Sequence, residues 1–273
     1  MPNHEYAWTG SQISQISAQP VRSLSQVIET SGGKLSFLSC SPPSPDQLWS
    51  LTSYLLDSEH PVRAVRLPLP QVPLPIDSPL VIAALEARSK NLPSLHIKPA
   101  VTDNSQAWHI ARDAHCYTEL DYYYEQLVAV RPDLIRVSKL DCADVSVGLE
   151  KPDGYDATVL PSSSEVCPAT SSGIMAWVTD KADTSMRRLL MDLHDPATAT
   201  CSNVERQAST ICLSSGADKA ACHCTEPRPG IYMLDVAVKI HGEISHHRVR
   251  HSAASTLLGA LTTWLESKAP RRE

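Results

Sequence analysis

The chain has 273 residues, a formal net charge of −6 and an apolar content of 42%. This length can bury a hydrophobic core without disulfides and predicts one large domain or two small ones. The acidic balance argues against a broad phosphate-binding surface, and no run of about 18 apolar residues occurs, so we expect neither a nucleic-acid partner nor a membrane span.

Segments in the first half alternate between strand and helix patterns. Residues 1–19 are polar and predict a loose arm, and a helix is expected over 20–28. Strands are predicted at 34–40, 62–67, 95–98 and 134–138, with helices that begin near Ser44, Ser78 and Ser105. The last of these helices is expected to run to Val130. Four strands separated by three helices are typical of a mostly parallel sheet, so residues 20–148 are predicted to form a Rossmann-like α/β domain.

The second half, residues 149–273, predicts an α+β region. A strand at 174–178 and a helix at 181–193 are followed by an irregular, cysteine-rich segment, 194–230. The pattern then recovers as a strand at 231–240, a turn at His241 and Gly242, a strand at 243–250 and a helix at 253–265. This end of the chain predicts a C-terminal ββα extension.

Hydroxyl and thiol side chains follow the strand at 34–40. Ligands bind beyond the carboxyl ends of strands in doubly wound sheets, so Ser39 is predicted to bind substrate and Ser41 to bind or attack it. The alternative is an ordinary loop in which Ser44 caps the next helix. Neither common glycine-rich phosphate-binding motif occurs in the sequence.

The predicted helix 104–130 carries acids, imidazoles and tyrosines. At helical spacing, His109 and Asp113 share a stripe that continues near Asp121 and Glu125. The three acids are predicted to be catalytic, since neighbouring carboxylates can separate their pKa values. His109 and Tyr122 are predicted to bind substrate. The alternative is a solvated charged face on a structural helix.

Four cysteines lie between residues 201 and 224. Cys212, Cys222 and Cys224 are candidate zinc ligands, because a metal would order a segment that is poor in core-forming residues. No CxxC pair occurs, so free thiols in a flexible loop are the alternative. The N-terminus has no basic segment followed by an apolar core, and we expect a cytoplasmic protein with reduced cysteines.

Two segments bear a resemblance to known families. Residues 19–42 and 62–73 resemble the opening of GT-B glycosyltransferases, and the pattern from Lys34 to Ser44 is similar to the start of cyclodipeptide synthases. The glycosyltransferase donor motif is absent, and the acid beside Tyr122 lies too close to Ser41 for the second family. No family is therefore assigned and no residue role is carried over.

Two functional hypotheses remain open. The first is a small-molecule enzyme of the group-transfer or lyase type, whose site lies at the carboxyl ends of the first strands. The second is a non-enzymatic interaction or regulatory protein, in which zinc stabilises the region 201–224. The sequence identifies no cofactor and no oligomeric state.

Overall fold

The computed structural model describes residues 4–9, 35–40, 49, 52–53, 56, 62–73, 76, 79–89, 92–148 and 151–268. For residues 4–9 and 35–40 the description covers the backbone alone. The chain folds as two compact units, each made of two segments. Unit 1 comprises Met1–Ser89 and Ser172–Ala199, and unit 2 comprises Lys90–Ser171 and Thr200–Glu273. The sequence-based division instead assigned consecutive segments, with a boundary at residue 148.

The described residues form strands and helices throughout both units. The strands are β1 (His4–Thr9), β2 (Leu35–Cys40), β3 (Val62–Pro68), β4 (Leu80–Leu85), β5 (Ser94–Ile97), β6 (His115–Tyr117), β7 (Ile135–Arg136), β8 (Val145–Gly148), β9 (Ala157–Val159), β10 (Met175–Asp180), β11 (Lys219–Arg228), β12 (Ile231–Ile240) and β13 (Glu243–His251). The α-helices are α1 (Asp121–Val130), α2 (Thr184–Leu190), α3 (Pro196–Ser214) and α4 (Ala254–Lys268). Short 3₁₀ turns occur at Leu69–Gln71, Pro99–Val101, Ala107–His109, Leu140–Cys142 and Met191–Leu193. None of the described helices is both long and apolar enough to cross a bilayer.

The central sheet of unit 1 has the strand order β2-β1-β3-β10-β4. Strands β1, β2 and β3 are parallel, and β10 is antiparallel to both β3 and β4. Four of the five strands therefore point the same way, which confirms a mixed α/β fold with a mostly parallel central sheet. Because side chains alternate along β10, Ala176 and Val178 join one core while Trp177 joins another, with Met186 and Leu190 of α2.

The second five-stranded sheet lies in unit 2 and has the order β7-β6-β8-β5-β9. Strand β6 is parallel to β7 and β8, and β5 is antiparallel to β8 and β9. Each five-stranded sheet therefore has four strands that run the same way and an antiparallel strand in the fourth place. Leu127 of α1 is fully buried in the core of this sheet, beside Leu95, Ile97 and Val145.

Unit 2 also contains the three-stranded antiparallel sheet β11-β12-β13. Helices α3 and α4 contribute Val204, Ala208, Leu257 and Leu261 to the core on one face of this sheet. Strands β12 and β13 turn at His241 and Gly242, where φ is 52° and 86°. Two consecutive positive φ values are the geometry of a tight two-residue hairpin. The predicted ββα extension is confirmed, with β11 added beside it.

Several further predictions are confirmed, namely the strands at 34–40, 62–67, 95–98 and 174–178 and the helix within 181–193. The strand expected at 134–138 is only the two residues of β7. The predicted loose arm 1–19 contains β1, which pairs with β2 and β3. The helices predicted at 20–28 and from Ser44 fall wholly or mostly outside the described residues.

The helix predicted from Ser78 is wrong, because residues 80–85 form strand β4. Every residue of this segment, LVIAAL, is apolar, and such a run fits a strand buried on both faces as well as it fits a helix. Pairing with β10 decides between the two, since it provides partners for the backbone of β4.

The long helix predicted over 104–130 is also wrong, because the α-helix covers only Asp121–Val130 and the earlier part holds a short 3₁₀ turn at Ala107–His109. Trp108, His109 and Asp113 have φ of 58°, which is outside the right-handed helical region. Arg131 donates hydrogen bonds to the carbonyl oxygens of Ala107, Ile110 and Ala111 at 2.9, 3.1 and 3.1 Å. This buried guanidinium holds the loop in place, and its sequence distance from the loop hid the interaction.

The irregular segment predicted at 194–230 is instead helix α3 followed by strand β11. The Oδ1 atom of Asp195 accepts a hydrogen bond from the Thr198 amide at 2.6 Å, and Pro196 is the first helical residue. An acidic cap followed by proline is a helix-start signal that the sequence reading overlooked. Small residues form much of the buried face of α3, which weakened its apolar pattern.

Candidate functional site

A surface cavity of about 430 Å³ lies among the described residues of unit 1. Its volume is within the range typical of small-molecule sites. The lining residues come from β4, from α2 and from the turn that follows α2: Ile82, Ala83, Thr184, Arg187, Arg188, Met191 and His194. The space therefore combines an apolar wall with side chains that donate hydrogen bonds.

Helix α2 presents one face to the cavity. Thr184, Arg187, Arg188 and Met191 are spaced by three, four and seven residues, which places them on one side of the helix. Met186 and Leu190 lie on the other side and are fully buried against the central sheet. The same helix thus anchors itself in the core and exposes two guanidinium groups.

Asp183 fixes the start of α2. Its carboxylate accepts a hydrogen bond from the Met186 amide at 3.0 Å, and Arg63 of β3 donates to both carboxylate oxygens at 2.8 and 2.6 Å. Burial alone would raise the pKa of Asp183, but these hydrogen bonds outweigh it and lower the pKa to about 2. The Asp183 carboxylate, next in sequence to the lining residue Thr184, is therefore already paired.

His194 is oriented by the backbone of β4. Its Nδ1 atom accepts a hydrogen bond from the Leu85 amide at 3.2 Å. The neutral ring must then carry its proton on Nε2, which makes that atom a hydrogen-bond donor. No acidic side chain is among the described residues that line the cavity. The arrangement favours an anionic ligand with an apolar part.

The sequence-predicted site residues do not lie at this cavity. Ser41 is outside the described residues, and Ser39 belongs to β2 with only its backbone described. His109 and Asp113 are exposed on the loop before β6 rather than on a shared helix with Glu125. The predicted stripe from His109 to Glu125 therefore does not exist, because the backbone turns away at the three residues with positive φ.

Tyr122 and Glu125 do lie side by side on α1. Glu125 accepts hydrogen bonds from the Nζ atoms of Lys219 and Lys239, each at 3.0 Å. Partial burial alone would raise the pKa of Glu125, but the two ammonium groups outweigh it and lower the pKa. Burial raises the pKa of Tyr122, whose ring packs near Cys167. Glu125 is thus held as a carboxylate, which suits an ion pair better than a general acid.

Asp121 forms an exposed ion pair with Arg136. Its side chain is 69% exposed, and the Arg136 hydrogen bond lowers its pKa. Asp121 is therefore not the partly buried carboxylate of raised pKa that the sequence reading expected. The group-transfer or lyase hypothesis, which also needs Ser41, stays a prediction.

The cysteine-rich region is a packed core rather than a metal centre. Cys212, Cys222 and Cys224 are buried among the apolar residues between α3, α4 and the three-stranded sheet. Over the described ranges, no group of three or more His, Cys, Asp or Glu side chains is placed to hold a metal ion. The arrangement therefore does not support the zinc site predicted at these cysteines.

Sequence reasoning missed a buried acid on β12. Asp235 is 1% exposed and accepts hydrogen bonds from Arg248 Nε at 2.6 Å and from Ser163 Oγ at 2.6 Å. An aspartate in the otherwise apolar run of β12 was the available signal. Its partners are distant in sequence, so only the fold identifies it as part of an ion pair.

Comparisons with known proteins give weak structural similarity alone. No protein-family model matches the sequence, and no curated protein matches it significantly. Among similar solved structures, YhfZ from Shigella flexneri is 11% identical with a TM-score of 0.36, over 72% of this chain and 86% of that chain. A TRAP periplasmic solute-binding protein from Pseudomonas putida F1, with bound D-glucuronate, is 10% identical with a TM-score of 0.42, over 72% and 78%. An apo TRAP solute-binding protein from Rhodobacter sphaeroides is 8% identical with a TM-score of 0.44, over 74% and 80%. Values in this range assign neither a family nor a function.

Proposed function

We propose that this chain binds a small anionic molecule in the unit 1 cavity. The observation that carries the proposal is the charge of the lining, which has two arginines, one imidazole donor and no acid among its described residues. The proposal keeps the small-molecule partner of the first hypothesis and assigns no reaction to the cavity.

The chemistry of the lining favours a carboxylate with a short apolar body. Arg187 and Arg188 supply fixed forks of donors that match a carboxylate, and His194 adds a donor from a different element. Ile82 and Met191 offer apolar surface to the rest of the ligand. Arg187 also donates to the Lys181 carbonyl at 3.2 Å, which restricts its orientation.

Ligand binding by the purified protein tests this proposal. Melting temperature is measured with a panel of benzoate, succinate, pyroglutamate, D-glucuronate and inorganic phosphate, and each ligand that raises it is titrated by calorimetry. A ligand at about 100 times its dissociation constant stabilises by roughly 2.7 kcal/mol, which a melting curve resolves. Arg188→Glu is expected to weaken binding by about 10- to 100-fold, because it removes a charge-assisted hydrogen bond.

Arg112→Glu is the matched control, because Arg112 is an exposed arginine of unit 2 and undergoes the same change of charge. The control is expected to retain the affinity of the unchanged protein. A panel without any stabilising ligand refutes the proposal. Equal loss of affinity in Arg188→Glu and Arg112→Glu also refutes it, since the effect would then follow from net charge alone.

A further inference from the structure

Strand β13 forms one edge of the three-stranded sheet in unit 2. It is nine residues long and pairs with β12 in a continuous register. Because the hairpin turn at His241 and Gly242 has two residues, Ile240 and Glu243 form a hydrogen-bonded pair beside it. Hydrogen-bonded pairs then recur at every second residue, so the even-numbered residues of β13 direct their N–H and C=O groups away from β12. These residues are Ile244, His246, Arg248 and Arg250.

The opposite edge of this sheet, β11, is covered. By the same alternation, the even-numbered residues of β11 direct their amides outward. Cys222 donates its N–H to Thr170 Oγ1 at 3.2 Å, and Cys224 donates its N–H to Glu205 Oε1 at 2.6 Å. Among the described residues, none provides such a partner for the outward backbone groups of β13. The β13 edge is therefore an open row of donors and acceptors on which another strand can pair.

One face of the β13 edge is cationic. Successive side chains alternate between the faces of a strand, so Arg248 and Arg250 share one face, and Glu243, the only acid of β13, lies on the other. Arg248 is paired with Asp235 of β12. Arg250 is exposed, and it forms no ion pair with any residue that the structure describes. An acidic side chain on a neighbouring strand, opposite Arg250, would provide this pair.

The other face of the edge is apolar. His247 stacks on Trp264 of α4 with their ring centroids 4.6 Å apart, and Val249 is partly buried in the core to which α4 contributes. Apolar side chains of a neighbouring strand would extend this surface, since residues on adjacent strands pack side by side. The edge therefore suits an extended segment in which acidic residues alternate with apolar ones.

We propose that β13 binds an extended acidic peptide, which adds to the three-stranded sheet as an antiparallel strand. The sheet is antiparallel throughout, which favours this direction. Main-chain hydrogen bonds provide the affinity, and the alternation of side chains provides the specificity. A second copy of the chain is disfavoured, because two paired β13 strands would place Arg248 and Arg250 of both copies on one face without an acid of either strand. The surface lies in unit 2 and does not depend on ligand binding in unit 1.

Fluorescence anisotropy of a labelled peptide tests the surface. The probe is a short synthetic peptide in which glutamate alternates with valine, and the control peptide has lysine in place of glutamate. We expect saturable binding of the glutamate peptide to the folded full chain and no binding of the lysine peptide. Arg250→Glu is expected to weaken binding by about 3- to 30-fold, because it turns an opposite-charge pair into a like-charge pair. Arg112→Glu makes the same change at an exposed arginine outside β13 and is expected to retain the affinity.

N-methylated peptides test whether a strand is added. In an antiparallel pair, residues directly opposite each other share a face, so glutamates opposite Arg248 and Arg250 also direct their N–H groups to β13. Methylation of the glutamate amides is therefore expected to abolish binding. Methylation of the valine amides, which point away from β13, is expected to preserve it.

Four outcomes overturn the proposal. The first is the absence of saturable binding, and the second is an equal loss of affinity in Arg250→Glu and Arg112→Glu, which would follow from net charge alone. The third is equal binding of the two methylated peptides, or stronger binding of the one methylated at glutamate, which excludes the antiparallel strand. The fourth is a dimer in sedimentation experiments that the glutamate peptide dissociates, which identifies a second copy as the occupant of the edge.

Discussion

A buried ion pair in the central sheet of unit 1 provides the sharpest test of how this fold is stabilised. Arg66 of β3 is 0% exposed, and the side chain of Glu86, just after β4, is 5% exposed. Arg66 donates to the two oxygens of Glu86 at 2.5 and 2.6 Å, and Trp177 Nε1 donates to one of them at 2.8 Å. The perturbation we consider is Glu86→Ala.

The expected cost follows from the burial of the guanidinium. Removing one partner of a buried ion pair leaves the other charge in a low-dielectric environment, which costs about 3–5 kcal/mol. The Trp177 N–H also loses its acceptor, and an unsatisfied buried donor costs about 1–3 kcal/mol, although the two effects are not additive. We therefore expect Glu86→Ala to lower the free energy of unfolding of unit 1 by about 3–5 kcal/mol.

Urea unfolding followed by far-UV circular dichroism measures this change. The double variant Arg66→Met with Glu86→Leu is expected to be much closer to the unchanged protein, because it replaces both charges of the buried pair with apolar side chains. Asp121→Ala is the exposed counterpart and is expected to have far less effect, since its pair with Arg136 lies in solvent.

Two outcomes would refute this reasoning. The first is a Glu86→Ala variant as stable as Asp121→Ala, which would mean that the Glu86 carboxylate does not stabilise the buried guanidinium in the folded protein. The second is a double variant at least as damaged as the single one. In that case the volume and shape of the two side chains, rather than the uncompensated charge, would determine the loss.

Three further predictions concern pH and packing. Burial lowers the pKa of His96 below its ordinary 6.5. The contribution of His96 to stability is therefore full above pH 6.5 and is lost as the pH falls through the lowered value. Between about pH 7.5 and 5, the urea midpoint of unfolding should fall less steeply in His96→Gln than in the unchanged protein. Asp183→Ala should lower the free energy of unfolding by about 0.5–2 kcal/mol near neutral pH, because it removes the cap of α2. In urea unfolding experiments, this difference from the unchanged protein should vanish as the pH falls from 3.8 through about 2. Leu261 is a fully buried residue of α4, and Leu261→Ala should lower the free energy of unfolding by about 2–5 kcal/mol in the same measurement. Leu213 is 50% exposed, and Leu213→Ala should change it by less than about 0.5 kcal/mol. Equal costs at the two positions would contradict the packing of this core.

Elements with strong local patterns were predictable from the sequence. The alternation in β12, the turn at His241 and Gly242 and the apolar face of α4 are each encoded within a few residues. Helix α3 was encoded as well, by Asp195 and Pro196, but its small residues concealed the apolar face. Tyr122 and Glu125 were correctly placed next to each other, although their partners Lys219 and Lys239 were not foreseen.

The candidate cavity was not predicted, and its residues show why. Arg187 and Arg188 appear in the sequence as ordinary charges of a surface helix. Their role as lining depends on β4, which supplies Ile82 and Ala83 and was itself predicted as helix. A site made of two elements remains hidden when one of them is assigned to the wrong secondary structure.

The sequence by itself determined the α/β class, strands such as β2, β3 and β10, and the C-terminal ββα arrangement, because alternation, capping and turn residues act over short distances along the chain. Tertiary structure alone decided that LVIAAL is a strand, that residues 104–120 are not helical and that the cysteines form a core. In each case the deciding partner, β10, Arg131 or the three-stranded sheet, lies outside the local segment. Hydrogen bonds and burial with such partners outweigh local propensities, which differ by only about 1 kcal/mol per residue.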